Sequence, residues 1–430
     1  MVDEALVETG TVQHRVRDLP SRVVLYLLLA GCLFPDLGYS QVWQRLVAGL
    51  DGLAVPAPTA GALTQARRRL GVKPLRFLFD LLRGPAAAAL SAGVHWRGLL
   101  VCAIDGTIMA VPDSTANLRV FTKQAGGATG GSSYPTMRLL ALVACGTRTV
   151  IDAVFGPVSA GETTYAPRLL PSLRAGMIVL ADRNFAAGGL LASVAGTGAD
   201  FLVRVKTGYS APKLPVLHRY RDGSYLSIFG GVQVRVIDAE NTIATSAGRT
   251  TATYRLITTL LSPQQFPAFE VVKLYHERWE VETTYLELKS SLLGGRVLRA
   301  RTPAGVDQEV YALLVTYQIL RTAMADATAT LPDIDPDRAS FTIALNAARD
   351  QLIHAAGVIA GGVIDLVGRI GRLVLANLMP DRRLRVNART VKRAISKYNA
   401  RGPNISRATH KATLNIDILG EPALTASPGP

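Results

Sequence analysis

The stretch Leu99-Leu100-Val101-Cys102-Ala103-Ile104-Asp105-Gly106-Thr107 decides how this chain is read. Its apolar run, with β-branched Val101 and Ile104, is unbroken until it stops on an aspartate and a glycine. A short run of this make-up reads as a buried strand ending at Asp105, with Asp-Gly as its closing turn. Two similar runs follow, Met137 to Cys145 and Thr149 to Phe155, joined by Gly146 and Thr147 and preceded by a Gly- and Ser-rich loop, Gly126 to Ser133. Next come a helical stretch, Glu162 to Arg174, a strand, Met177 to Ala181, a helix, Ala186 to Ala195, and a strand, Phe201 to Val205. The order is β-β-β-α-β-α-β. A hairpin first and crossover helices afterwards predict an α/β fold whose mixed sheet has one antiparallel side.

The flanks differ in character. Residues 1–95 read as a helical N-terminal domain, with Arg67-Arg68-Arg69 as a solvated helix face. Residues 96–206 and 264–330 form a split α/β core. Between its halves, 207–263 reads as an all-β insertion, with strands at Tyr225 to Phe229, Val232 to Ile237 and Tyr254 to Leu261. A long helix is expected from Phe266 to about Leu293, and 331–430 reads as a helical C-terminal region with a basic tail. That tail, Arg382 to Lys411, holds ten Lys or Arg and no Asp or Glu.

Composition narrows the partners. Of 430 residues, 47 are Lys or Arg and 32 are Asp or Glu, a net charge of +15 that favours a polyanion, nucleic acid ahead of membrane. Cys32, Cys102 and Cys145 have no Cys-x-x-Cys spacing, which excludes a cysteine zinc site and suits a reducing, cytoplasmic setting. The apolar run Val23 to Phe34 is too short for a bilayer, which needs ~20 residues. The acidic start, Asp3-Glu4, is unlike a secretory signal. The six histidines show no metal-ligand spacing, and His276 reads as a surface residue.

Two aspartates, Asp105 and Asp182, each follow an apolar strand, the place where ligands of open sheets bind. On the expected long helix, Tyr275, Arg278, Glu282 and Lys289 project within an arc of about 60°. Glu277, Glu280, Glu287 and Ser290 fall on what reads as the acidic solvent face. Three hard carboxylates, Asp105, Asp182 and Glu282, suit Mg²⁺ or Mn²⁺ rather than zinc. Arg278 and Lys289 can hold phosphates, and Tyr275 can donate to one or stack on a base.

The spacing Tyr275-x2-Arg278-x3-Glu282-x6-Lys289 resembles the signature of the insertion-sequence-4 group of DDE transposases. Ile104-Asp105-Gly106-Thr107 looks like that family's first acid and Asp182-Arg183-Asn184-Phe185 like its second. The resemblance implies a ribonuclease-H-like core and a cut-and-paste transposase that nicks element ends and joins the freed 3′ ends to target DNA. It implies Asp105, Asp182 and Glu282 as catalytic metal ligands, with two Mg²⁺ or Mn²⁺ ions per active site. Its expected partner is double-stranded DNA, both terminal inverted repeats and target, in a homodimeric complex without a membrane. DNA contacts are expected from Tyr275, Arg278, Lys289 and Arg183, and from Arg382, Arg383, Arg385, Arg389, Lys392, Arg393 and Lys397 in the tail. Some relatives hold a flipped base on an insertion tryptophan; here Trp43, Trp96 and Trp279 all lie outside 207–263, leaving Tyr209, Tyr220, Tyr225 and Phe229. The alternatives are a catalytically inactive or domesticated DNA-binding relative and a non-transposing nuclease of the same fold.

Overall fold

The structure is a computed structural model that describes residues 1–13, 15, 17–48, 50, 54–86, 93–123, 134–209, 211–245, 248–331, 333–354, 366–380 and 412–420. In chain order it begins with α1 (Val2–Glu8), α2 (Ser21–Leu33), α3 (Tyr39–Val47), α4 (Ala60–Leu70) and α5 (Lys73–Leu82). Then come β1 (His95–Trp96), β2 (Leu99–Ala110), α6 (Thr115–Leu118), β3 (Thr136–Ala144), β4 (Val150–Pro157), α7 (Glu162–Tyr165), β5 (Met177–Ala181), α8 (Gly188–Gly196) and β6 (Asp200–Val205). The strands β7 (His218–Arg219), β8 (Tyr225–Phe229), β9 (Val232–Thr245) and β10 (Gly248–Thr258) follow. The last elements are α9 (Ala268–Tyr275), α10 (Trp279–Leu286), α11 (Pro303–Ala329), α12 (Phe341–His354), α13 (Leu366–Ala376) and β11 (Ala412–Ile418). Two compact units result, one of Met1–Met177 with Arg278–Met379, the other of Ile178–Glu277 with the described residues after Met379.

In the first unit β1, β2, β3 and β4 form an antiparallel meander, the antiparallel side expected from the hairpin-first order. The predicted helix over 162–174 is shorter: α7 gives way to a 3₁₀ turn at Ala166–Ser172. Pro167 and Pro171 lack the N–H that an α-helix would need there. The 27-residue α11 is the spine of this unit and packs against α2, α5, α12 and α13. Pro303 in its first turn and the Thr302 hydroxyl, accepting from Gly305 N, start it cleanly. Polar residues buried along α11 fasten distant segments. Gln308 Nε2 donates to the carbonyls of Arg67 and Gly71 at the end of α4. Gln318 accepts from Val150 N and donates to Leu82 O and Gly84 O. Glu309 accepts from the amides of Arg299 and Ala300. Each buried amide or carboxylate would be costly without such a partner. The N-terminal helices are thereby fastened to α11 within this unit. The triple arginine divides: Arg67 stacks over the Tyr39 ring at 4.0 Å, while Arg68 and Arg69 are exposed.

In the second unit β5 and β6 pair in parallel, and β10 pairs antiparallel with β6, then with β9. The β-rich segment read from the sequence therefore continues the sheet of β6. Arg235, fully buried on β9, is satisfied by Asp222, Ser224 Oγ and the Phe266 carbonyl. Another expectation changes at the C-terminus. After α12 and α13 the chain returns as β11, which pairs antiparallel with β9. Ala412-Thr-Leu-Asn-Ile-Asp-Ile418 alternates as a half-buried strand does, and β9 supplies its ladder. The Gly126 to Ser133 loop, and Arg382, Arg383, Arg385, Arg389, Lys392, Arg393 and Lys397 of the basic tail, lie outside the described residues. Among the described residues no helix is long and apolar enough to cross a membrane.

Candidate active site

Strand β2 does not end at Asp105. It continues to Ala110 because β3 supplies partners as far as Thr136, with Asp105 opposite Ala141. Alternation along the strand sends Asp105 and Thr107 to one face and Gly106 and Ile108 to the other. On that second face the Glu162 carboxylate lies against Gly106, where an added Cβ would collide with it. Arg138 of β3, paired in register with Ile108, holds Glu162 by an Nη1–Oε1 bond of 2.7 Å. The Gly106 amide donates to Asp105 Oδ1 at 2.8 Å and orients the carboxylate.

The helix expected across 266–293 is four pieces. After α9 the chain tightens into a 3₁₀ turn at His276–Arg278, resumes as α10, and widens into a π-helix at Glu287–Leu292. A constant rotation per residue therefore does not describe the signature, yet Arg278, Glu282 and Lys289 still converge on β2. Arg278 Nη2 donates to Glu282 Oε1 at 3.0 Å, and its Nη1 lies 3.6 Å from Asp105 Oδ2. One guanidinium thus pairs with both carboxylates, while its Cζ lies 4.8 Å from the centroid of the Trp279 ring. Lys289 Nζ donates to Thr107 Oγ1 at 3.2 Å, two residues along from Asp105. Asp105 and Glu282 keep 19% and 27% of their side-chain surface exposed, enough for a small cation to reach them.

The acidic side of this segment is not a solvent face. Glu280 Oε2 accepts from Arg148 Nε at 2.5 Å, and Glu287 accepts from Arg148, Arg321 and the Tyr317 hydroxyl. Arg148, fully buried in the β3–β4 turn, also pairs with Asp337. Buried guanidinium groups need this many acceptors to offset lost hydration, and they draw Glu280 and Glu287 inward. Within 279–290 the outward side chains are Trp279, Leu286 and Ser290. Sequence reading gave no signal for Arg148 or Arg321, which lie 132 and 34 residues from their acids.

In the second unit Asp182 follows β5 directly and caps a short 3₁₀ turn, accepting from Asn184 N at 2.8 Å. Arg183 beside it is exposed. Tyr275 is buried, and its hydroxyl donates to the Ala181 carbonyl at 3.2 Å. This bond fixes Tyr275 to the residue before Asp182. His276 is half-buried, and burial lowers its pKa. Of the aromatic residues in the β-rich segment, Tyr225 is buried and Tyr209 is fully exposed. Among the described residues no three His, Cys, Asp or Glu side chains form a ready-made metal cluster.

Residues 96–319, more than half of the chain, match the family described as the transposase DDE domain. The chain belongs to the DDE transposases. Residues 1–80 match the N-terminal domain of the insertion element 4 transposase. The chain is 26% identical over 410 residues to the transposase InsG for insertion sequence element IS4 of Escherichia coli (strain K12), covering 93% of this chain and 91% of that protein. It is 31% identical over 201 residues to the putative transposase InsZ of the same organism, 46% of this chain and 65% of that one. A cryo-EM structure of piggyBac transposase in a synaptic complex with hairpin DNA matches at a TM-score of 0.45 and 11% identity, over 89% of this chain and 82% of that chain. The protein is thus an insertion-sequence DNA transposase, an enzyme acting on DNA, with a mixed α/β fold. Transposases of this family depend on a divalent metal.

Proposed function

We propose that Asp105, Asp182 and Glu282 hold two Mg²⁺ or Mn²⁺ ions, with which this transposase cleaves double-stranded DNA at its element's terminal inverted repeats and joins the 3′ ends to target DNA. The observation carrying this reading is the Arg278 guanidinium shared by Asp105 and Glu282. Two carboxylates on different elements already converge on one positive charge, and their hard oxygens fit a divalent cation. Asp182 joins them on its motif and its place at the end of β5. Bound there, two ions would activate a water or 3′-hydroxyl and stabilise the leaving oxygen. Arg278, once its carboxylates have another counter-charge, can turn its fork to a phosphate. Lys289, steadied on Thr107, places a point charge beside Asp105, and exposed Arg183 does the same beside Asp182. Joining two element ends calls for two active sites, which a homodimer supplies.

The test is cleavage of pre-formed element ends in Mg²⁺ by Asp105→Asn, Asp182→Asn and Glu282→Gln, each of which keeps shape and removes charge. Each should lower the rate by about 10³-fold or more while end binding stays near wild type. Near wild-type cleavage by any one of them would remove that residue from the metal site.

A further inference from the structure

The geometry points to Tyr285 as a positioning residue whose hydroxyl sets the distance between the strand carrying Asp105 and the helix carrying Glu282. Tyr285 stands one turn beyond Glu282 on α10, on the same side of the helix, and its ring is buried against the sheet. Its hydroxyl donates to the backbone carbonyl of Asp105 at 2.5 Å and accepts from the amide of Ala141 at 2.9 Å. Asp105 and Ala141 are partners across the β2–β3 ladder, so one oxygen of α10 is tied to both strands at the register position of the acid. The tie runs to the backbone of Asp105 and makes no use of its carboxylate. Arg278 spans the two acids from the side-chain end, and Tyr285 spans them from the main-chain end. A pair of ligands on two separate elements needs such a link, because a shift of about 1 Å between reacting groups can cost 10²-fold in rate.

This inference rests on the assignment of Asp105 and Glu282 to the metal site. The test is Tyr285→Phe in the full-length protein, with Glu282→Gln alongside. Four quantities are read: cleavage rate at saturating element-end DNA, affinity for Mn²⁺ alone by EPR titration of free ion, affinity for end DNA, and melting temperature. Outer-shell groups that orient metal ligands are worth about 10–100-fold in metal affinity or activity. Tyr285→Phe should therefore weaken Mn²⁺ binding and slow cleavage by that factor, with end binding and melting temperature close to wild type. Wild-type Mn²⁺ affinity and rate in Tyr285→Phe, with Glu282→Gln inactive, would overturn the role of Tyr285 and leave the metal site standing. A Tyr285→Phe protein that loses melting temperature and end binding together with cleavage would make Tyr285 a stability residue and also overturn the inference. If Glu282→Gln itself kept Mn²⁺ affinity and cleavage, both readings would fall.

Discussion

Gly106 is a glycine because of what lies behind it. Its Cα faces the Glu162 carboxylate, which Arg138 prevents from moving aside freely. Filling occupied space in a packed region costs about 1–3 kcal/mol, so Gly106→Ala should lower stability by that amount in chemical denaturation. The double variant Gly106→Ala/Glu162→Ala should recover part of it, and additive losses would show that Glu162 is not what Gly106 makes room for. At this scale the candidate site was partly legible. Asp105, Asp182, Glu282 and Arg278 stand out by residue type and spacing. Tyr275 stands out by the same spacing, but burial and a bond to Ala181 O decide what its hydroxyl does. Tyr285, three residues past Glu282, carries no mark in the sequence that separates it from an ordinary core tyrosine.

Periodicity read the segment from α9 to the π-helix as one helix with an acidic solvent face. A 3₁₀ turn and a π-helix change the rotation per residue, and buried arginines reverse the meaning of the acids. Glu287 is the clearest case. It accepts hydrogen bonds from Arg321, Arg148 and Tyr317 in a site nearly closed to solvent. Removing one partner of a buried ion pair leaves the other charge unpaired and costs about 3–5 kcal/mol. Glu287→Ala should show that loss in urea unfolding, whereas Leu286→Ala next to it, on an exposed side chain, should change stability by less than about 0.5 kcal/mol. Similar effects of the two would contradict the burial of Glu287. Because Glu287 follows Glu282 by little more than one turn, its loss should also slow cleavage, so it is no neutral control for the signature residues.

Across the whole molecule, the net charge of +15 predicts DNA affinity that falls steeply with salt, each neutralised phosphate adding about −0.9 to the log–log slope. We propose that the basic tail neutralises some of those phosphates. Deleting everything after Arg382 would also remove β11, a strand paired along β9, so the informative change is substitution. Replacing Arg382, Arg383, Arg385, Arg389, Lys392, Arg393 and Lys397 by Gln should flatten the slope by about 0.9 for each phosphate the tail no longer neutralises. An unchanged slope would place the tail off the DNA. The α/β class, the order of the core strands, the β-rich segment between Asp182 and Glu282, and the acids and bases of the signature are legible along the chain alone. Those are properties of neighbours in the chain, where apolar runs, turn residues and fixed spacing speak directly. It took the folded molecule to show that β2 runs past Asp105, that the N-terminal helices pack with α11, that Ala412–Ile418 is a strand, and that Glu280 and Glu287 face inward. In each case the deciding partner lies far away in sequence: Thr136 for β2, Gln308 for α4, β9 for β11, Arg148 for Glu280. Local pattern assigns a residue to a face, but burial depends on which distant charges and backbone groups the fold brings against that face.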